Sequence, residues 1–250
     1  MAGSRIPMIA VASGKGGVGK TSVAIALARQ LARAGRRIGL VDADLYGPDV
    51  PRMLGLRRDV PAKSVTLASW SGNSGDASLE ALDVDGFKVA SAGFLMSGNQ
   101  GLAIGSAFGD MLLGRLVNDT AWGDVEALVI DMPPGTGEMQ QSLLGMAGRL
   151  TAILVVTPAE VSHLDSGRAL AVLRAARVPV LGGVENMAYL ECPHCGEPTD
   201  LHVRAPEDRT IWAAGVTRLA RLPFRPGGAI EGADLAPAVA SVLDHLAAGL

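Results

Sequence analysis

Cysteine is nearly absent: the 250 residues hold two, too few for the disulfide framework of a secreted scaffold. Nor does any run approach the ~18 apolar residues that span a bilayer, and the opening MAGSRIPMIAVASGKGG has no long apolar h-region of a signal peptide. Charge of one sign is missing too. Lys+Arg (22) and Asp+Glu (25) nearly balance at a formal net charge of -3 and interleave along the chain, so there is no polybasic arm to condense on nucleic acid or anionic lipid. These absences lead to the expectation of a cytoplasmic protein without a nucleic-acid or membrane partner.

What is present is glycine (32) and proline (14), spread between apolar runs instead of pooled in a disordered tract. Short apolar runs at 6–12, 38–41, 87–91, 126–130, 151–157 and 180–184 alternate with helical periodicity at 22–34, 104–118, 139–147 and 164–176. That alternation predicts an α/β fold, a mainly parallel sheet with helices on both faces. Residues 207–214 are expected as a short helix, 218–222 as an edge element and 235–246 as the closing helix. The stretch 57–85, poor in periodicity and rich in Ser, Asp and Gly, reads as an excursion of turns or short strands. With no internal repeat or linker, residues 1–250 read as one domain.

The stretch SGKGGVGKT, Ser13 to Thr21, satisfies GxxxxGK[ST] between a strand and a helix, the context of a phosphate loop. Gly14, Gly16, Gly17, Val18 and Gly19 let backbone N–H groups close on phosphate oxygens. Lys20 is placed to reach the β and γ phosphates, and Thr21, followed by Ser22, to help hold Mg²⁺. A second lysine, Lys15, is surplus to that task. It reads either as a group reaching phosphates held by a facing subunit or as a solvated lysine at a loop tip.

Asp42 and Asp44, in VDADLYGPD, alternate on an extended segment and share a face. Asp44 is the candidate for positioning the attacking water and Asp42 for the metal side; capping or turn aspartates are the alternative. Asp131 ends the strand ALVID, the place of a Walker-B carboxylate, and the MPPGTGE after it is a switch candidate or a rigid connection. Asn186, in VLGGVENM, is expected at the C-terminal end of its strand, where ligands lie, as an adenine reader or a turn former.

Cys192 and Cys195 form CxxC in ECPHCGE. Thiolates suit iron–sulfur or zinc ligation, and either a Cys₄ zinc site or an ordinary 4Fe–4S cluster needs more thiolates than one chain has. One solution is a two-fold dimer in which each subunit contributes the pair. A zinc loop completed by His194 or His202 is the rival, while a thioredoxin-like pair is disfavoured because CxxC does not follow an opening βα unit. His163 and His245 read as solvated or packed beside helices, and none of the four histidines is assigned to catalysis.

Taken in order, SGKGGVGKT, VDADLYGPDVP, VIDMPPGTGE, VVTPAE and VENMAYLECPHCGE resemble the Mrp/ApbC branch of the MinD/ParA-like, deviant-Walker P-loop ATPases, over nearly the whole chain. The resemblance implies an ATP-dependent homodimeric carrier that accepts a 4Fe–4S cluster bridged between two subunits and passes it to apo-proteins. Lys15 then resembles the lysine reaching across the dimer, Lys20 and Thr21 the phosphate and magnesium groups, and Asp44 the water-positioning residue. Asp42 resembles its metal-side neighbour, Asp131 the Walker-B aspartate, Asn186 the adenine reader, and Cys192 with Cys195 the cluster ligands. The chain departs from the pattern in KTS for KST, in PPGTGE for PPGTGD, and in SGNQGLAIGSAFGDML, which replaces a WRGP-type stretch. The accessory N-terminal domain and N-terminal cysteines of other members are also missing, which points to a specialised recipient, donor or partner. Two alternatives of other kinds are a MinD/ParA-like spatial regulator and a zinc-stabilised ATPase switch.

Overall fold

A computed structural model of the protein describes residues 6–44, 47–56, 79–94, 106–135, 147–225, 227 and 230–249. Five strands form the centre of the sheet: β1 (Met8–Ala12), β2 (Ile38–Asp42), β5 (Phe87–Ser91), β7 (Ala127–Asp131) and β8 (Leu150–Val156). In β1, β2, β7 and β8 every residue is buried, as expected of parallel strands covered on both faces. Beside them lie β4 (Leu82–Val84), β9 (Val180–Glu191), β10 (Pro198–Thr199) and β11 (Arg218–Pro223), in the order β10-β9-β8-β1-β7-β2-β5-β4 with β11 also on β9. All pairings in this sheet are parallel except β4 with β5 and β10 with β9. Two short strands, β3 (Leu79–Glu80) and β6 (Thr120–Ala121), pair apart from it.

Alternation along the strands splits the core into two layers. Ile9, Val11, Leu40, Val129, Ile153 and Val155 pack under α1 (Lys20–Arg33) and α5 (Ala236–Ala247). Met8, Ala10, Leu128, Ile130 and Leu154 pack under α3 (Ser106–Asn118) and α4 (Glu160–Ala175). A four-residue α2 (Val50–Met53) follows β2. Helix α1 stops where Gly35 takes φ 83° and the Arg36 N–H returns to the Leu31 carbonyl at 3.1 Å, a closure that a residue with a Cβ resists.

The structure revises several expected boundaries. Strand β9 does not stop at Val184; it continues to Glu191 because β11 and β10 carry on pairing beyond the end of β8. Asn186 therefore lies inside the strand. In 207–214 the helix reduces to one 3₁₀ turn, Glu207–Arg209. There the Thr210 hydroxyl donates to the Glu207 carbonyl and accepts from the Ala213 N–H, substituting for the bonds that would continue a helix. Helix α4 begins at Glu160, four residues earlier than its apolar stripe predicts. Of the helix expected over 139–147, residues 139–146 lie outside the described residues and Ala147 opens a 3₁₀ turn, Ala147–Arg149; most of the 57–85 excursion, residues 136–138 of the switch candidate and 97–105 of the divergent stretch also lie outside them. Among the described residues no helix is long and apolar enough to cross a membrane.

Candidate nucleotide site and thiol hairpin

The C-terminal ends of β1, β2, β5 and β7 form one edge. Along it, register sets Val11 beside Asp131, Asp131 beside Asp42, and Asp42 beside Ser91. Neighbours in register project to the same face, so the two aspartates become a buried pair, 0 % and 1 % exposed.

Lys20, the first residue of α1, lays its Nζ 2.7 Å from Asp131 Oδ1, and the Thr21 hydroxyl bonds the same carboxylate. Asp42 accepts from the Ser91 hydroxyl at 2.9 Å and from the backbone N–H groups of Val50 and Asp44. No cation pairs with Asp42 among the described residues. Burial, with Asp131 alongside, pushes its carboxyl well above the usual carboxylate range, against the pull of Ser91 and Val50. Burial raises Asp131 as well, opposed by the Lys20 ammonium and then by the Lys20 and Thr21 hydrogen bonds. One ammonium serves two sealed carboxylates, an arrangement that a divalent cation would complete. Asp44, half-buried, accepts from the Gly47 N–H at 3.2 Å and so holds its own turn while lying close enough to raise both buried aspartates.

Between β1 and α1 the loop is held at two points. Gly14 lies against α4: a Cβ there would sit 2.1 Å from the Asp165 backbone carbon, and its N–H donates to the Ser166 hydroxyl at 3.3 Å. Gly19 caps α1 with φ 83° and lies against Asn186, whose Nδ2 would be 2.1 Å from any Cβ. That same Nδ2 donates to the Val18 carbonyl at 2.8 Å. Asn186 Oδ1 thereby remains the atom free of a partner among the described residues. Gly16 and Gly17 are exposed at the loop tip, and Gly17 takes φ 78°. Lys15 is half-buried; the Ser13 hydroxyl donates to its carbonyl, and its ammonium has no ion-pair partner among the described residues. The first residues of the switch candidate join the loop through Gly135 N–H to the Ser13 carbonyl.

A recess of about 50 Å³ opens beside Asn186, lined by Ser22, Met187, Pro223, Phe224, Arg225 and Ile230. Sequence reasoning missed Ser91, Ser166, Met187 and the 223–225 wall. Ser91 lies at a strand end and Ser166 within α4, positions that motif spacing does not mark, and the 223–225 wall depends on the β9–β11 pairing.

Cys192 and Cys195 sit in the turn between β9 and β10. Cys192 N–H donates to the Glu197 carbonyl, Gly196 N–H returns to the Cys192 carbonyl, and Gly196 closes the turn at φ 75°. The Cys192 thiol is held below its usual range by the Cys195 N–H, then by the His194 N–H and the Cys195 thiol. Both thiols are free and residues 193–200 are all exposed. Among the described residues no three His, Cys, Asp or Glu side chains gather into a metal-holding group, so neither His194 nor His202 joins the thiols to make one. His163, by contrast, is buried, with Nδ1 accepting from the Ile211 N–H and its ring edge-on to Trp212. His245 bonds the Thr151 hydroxyl.

Comparison with known proteins agrees with this geometry. The chain is 39% identical over 197 residues to a protein of Deinococcus radiodurans named iron-sulfur cluster carrier protein, covering 79% of this chain and 53% of that one. It thus spans about half the length of that relative. A nucleotide-binding protein from Archaeoglobus fulgidus, solved with ADP, superposes with a TM-score of 0.69 at 31% identity, over 95% of this chain and 87% of that one. The fold alone is shared with the septum site-determining protein MinD of Pyrococcus horikoshii, solved with Mg-ADP, at TM-score 0.64 and 23% identity, over 97% of each chain. A family model described as ParA, NUBPL iron-transfer P-loop NTPase, matches residues 6–247, the span that contains both the glycine loop with its sealed aspartates and the thiol hairpin. The chain belongs to that family of P-loop NTPases.

Proposed function

We propose that residues 1–250 act as one domain, an ATP-hydrolysing carrier that works as a homodimer, accepts a 4Fe–4S cluster between two copies and delivers it to apo-proteins. The observation that carries this reading is the hairpin with two free thiols, Cys192 held below its usual range, and no third ligand beside them among the described residues, on a chain whose nucleotide edge is otherwise built. A second copy related by two-fold symmetry supplies the two thiolates that are lacking. The name of the Deinococcus radiodurans relative supports the same cargo.

ATP would bind along the loop, its phosphates taking over from Asp131 as counter-ion to Lys20 and its base entering the recess beside Asn186. Thr21, Asp42 and Asp131 fit Mg²⁺, directly or through water, and the ion would supply charge neutralisation on the phosphates. Asp44 positions the attacking water, giving up its bond to the Gly47 N–H. Lys15 crosses to the phosphates of the second copy, an assignment favoured by its lack of an ion-pair partner among the described residues. Val161 and Leu164, 59% and 50% exposed on the helix that Gly14 touches through Asp165 and Ser166, suit burial against that copy. Hydrolysis then loosens the closed dimer and changes access to the cluster.

The test is iron, acid-labile sulfide and zinc analysis of anaerobically reconstituted protein beside Cys192→Ser/Cys195→Ser, with mass measured on the same samples. About four iron and four sulfide per dimer, lost in the variant, is the expected result. Zinc alone would replace the carrier with a zinc-stabilised ATPase, and no thiol-dependent metal would favour a MinD-like switch. Transfer rates to an apo-protein that are equal in ADP, ATP and a nonhydrolysable analogue would refute the coupling.

A further inference from the structure

Strand β9 carries more residues than its neighbour can pair. Glu185 is in register with Arg221 of β11, but the next partners are Tyr189 and Pro223, four steps on one strand against two on the other. Pairing with β8 ends at the same place, Val156 with Glu185. The surplus is taken up at 186–188, and Met187 takes φ 53°. The two other non-glycine residues with positive φ among those described, Asp85 and Arg177, lie in turns; Met187 alone lies in a strand. L-residues avoid the left-handed region, and one held there within a sheet is kept by its surroundings.

Those surroundings are the nucleotide edge. The bulge leaves Asn186 with its amide on the Val18 carbonyl and against Gly19. Met187 lines the recess, and its methyl reaches to 3.6 Å from where a Gly19 Cβ would stand. At Ala188 the chain is again fully buried. Regular alternation directs Asn186 to the α1 face it shares with Val184 and would send Met187 to the opposite face; the bulge instead holds both side chains together against Gly19.

We propose that Met187 is a positioning residue for base recognition: its left-handed backbone, set by the two-residue surplus of β9 over β11, keeps the Asn186 amide on the phosphate loop and at the mouth of the recess. What matters at 187 is the backbone angle it accepts, ahead of the side chain it carries. This rests on the reading that Asn186 meets the nucleotide base.

The experiment compares Asn186→Ala, Met187→Gly and Met187→Val in the full chain by calorimetric titration with Mg-ADP, Mg-GDP and pyrophosphate, alongside Tm. Glycine accepts positive φ freely, whereas a β-branched residue resists it most. Met187→Val is expected to weaken ADP about tenfold and erase the preference for ADP over GDP, with pyrophosphate changed less than about threefold. Met187→Gly, which loses the recess-lining side chain but accepts the backbone angle, is expected to weaken ADP by about threefold, less than Met187→Val. The reverse order, with glycine worse than valine, would assign the role to the side chain and overturn the proposal, as would equal losses in both or a parallel loss of pyrophosphate. If Met187→Val does not fold, Met187→Gly decides: retained ADP binding upholds the proposal and a tenfold loss overturns it. Wild-type ADP binding by Asn186→Ala would instead remove the base-reading premise, a failure distinct from that of Met187.

Discussion

The nucleotide edge and the thiol hairpin sit on the same sheet, and they are built in opposite ways. At the edge, Asp42, Asp131 and Lys20 are sealed, each with named hydrogen-bond partners. At the hairpin the turn is closed by backbone bonds and by N–H groups on the Cys192 thiol, while Cys195 stands in solvent. On the proposed reading, the first site holds most of what it needs within one chain and the second holds half. A residue change should therefore be felt locally at the hairpin but throughout the edge, since buried polar groups lose their partners together.

The largest effect separates the two regions outright. Cys192→Ser/Cys195→Ser is expected to abolish bound iron while leaving ADP affinity within about twofold and Tm within about 2 °C, because exposed side chains carry little folding energy; calorimetry and thermal melts check both. A loss of nucleotide binding in that variant would show that the regions are not separable. Next, Lys15→Ala is expected to lower ATP hydrolysis about a hundredfold or more, by removal of a charge that acts on a partner's phosphates, while ADP binding to the dilute single chain stays unchanged. Mixing it with an Asp44→Ala chain, which retains its own Lys15, should restore partial turnover if the lysine acts across the interface.

Asp42→Asn sharpens the energetic side of the contrast. Its charged form is penalised by burial beside Asp131, so the amide is expected to stabilise the nucleotide-free chain by on the order of 1 kcal/mol, read in denaturant melts, while hydrolysis with Mg²⁺ falls steeply. The smallest effect is at His163, whose burial holds it below the usual histidine range. A depressed folded value means that the unfolded chain takes the proton first, so stability falls as pH drops below about 6.5. His163→Gln is expected to flatten that part of the pH–stability curve by less than about 1 kcal/mol.

Much of the edge was legible because its chemistry is written in residue types at strand ends. Ile38–Asp42 and Ala127–Asp131 read as apolar runs closed by a carboxylate, and the glycine loop satisfies GxxxxGK[ST] between a strand and a helix. Residue types alone do not say which carboxylates register brings together; that Asp42 faces Asp131, 89 positions away in the sequence, follows from β2 pairing with β7.

 Long-range pairing of that kind leaves no local trace. Strand β9 was the harder case: GVENM breaks alternation, so the run appeared to end at Val184, and nothing in a methionine announces a left-handed backbone. The region 207–214 misled for a related reason, since Thr210 satisfies with its hydroxyl the backbone groups that a helix would have paired.

Gly14 has one more consequence. With no side chain between them, the loop backbone and the Asp165–Ser166 backbone of α4 are in direct contact, and close-packed matter transmits displacement instead of absorbing it. Whatever a phosphate does to the loop, α4 must follow, and Val161 and Leu164 ride on its outer side. The missing methyl group leaves nothing soft between the two: a push on the loop would be felt by the helix that carries this outward apolar surface. Inserting a single carbon there, as in Gly14→Ala, would pry the two bodies apart without touching a single charged group.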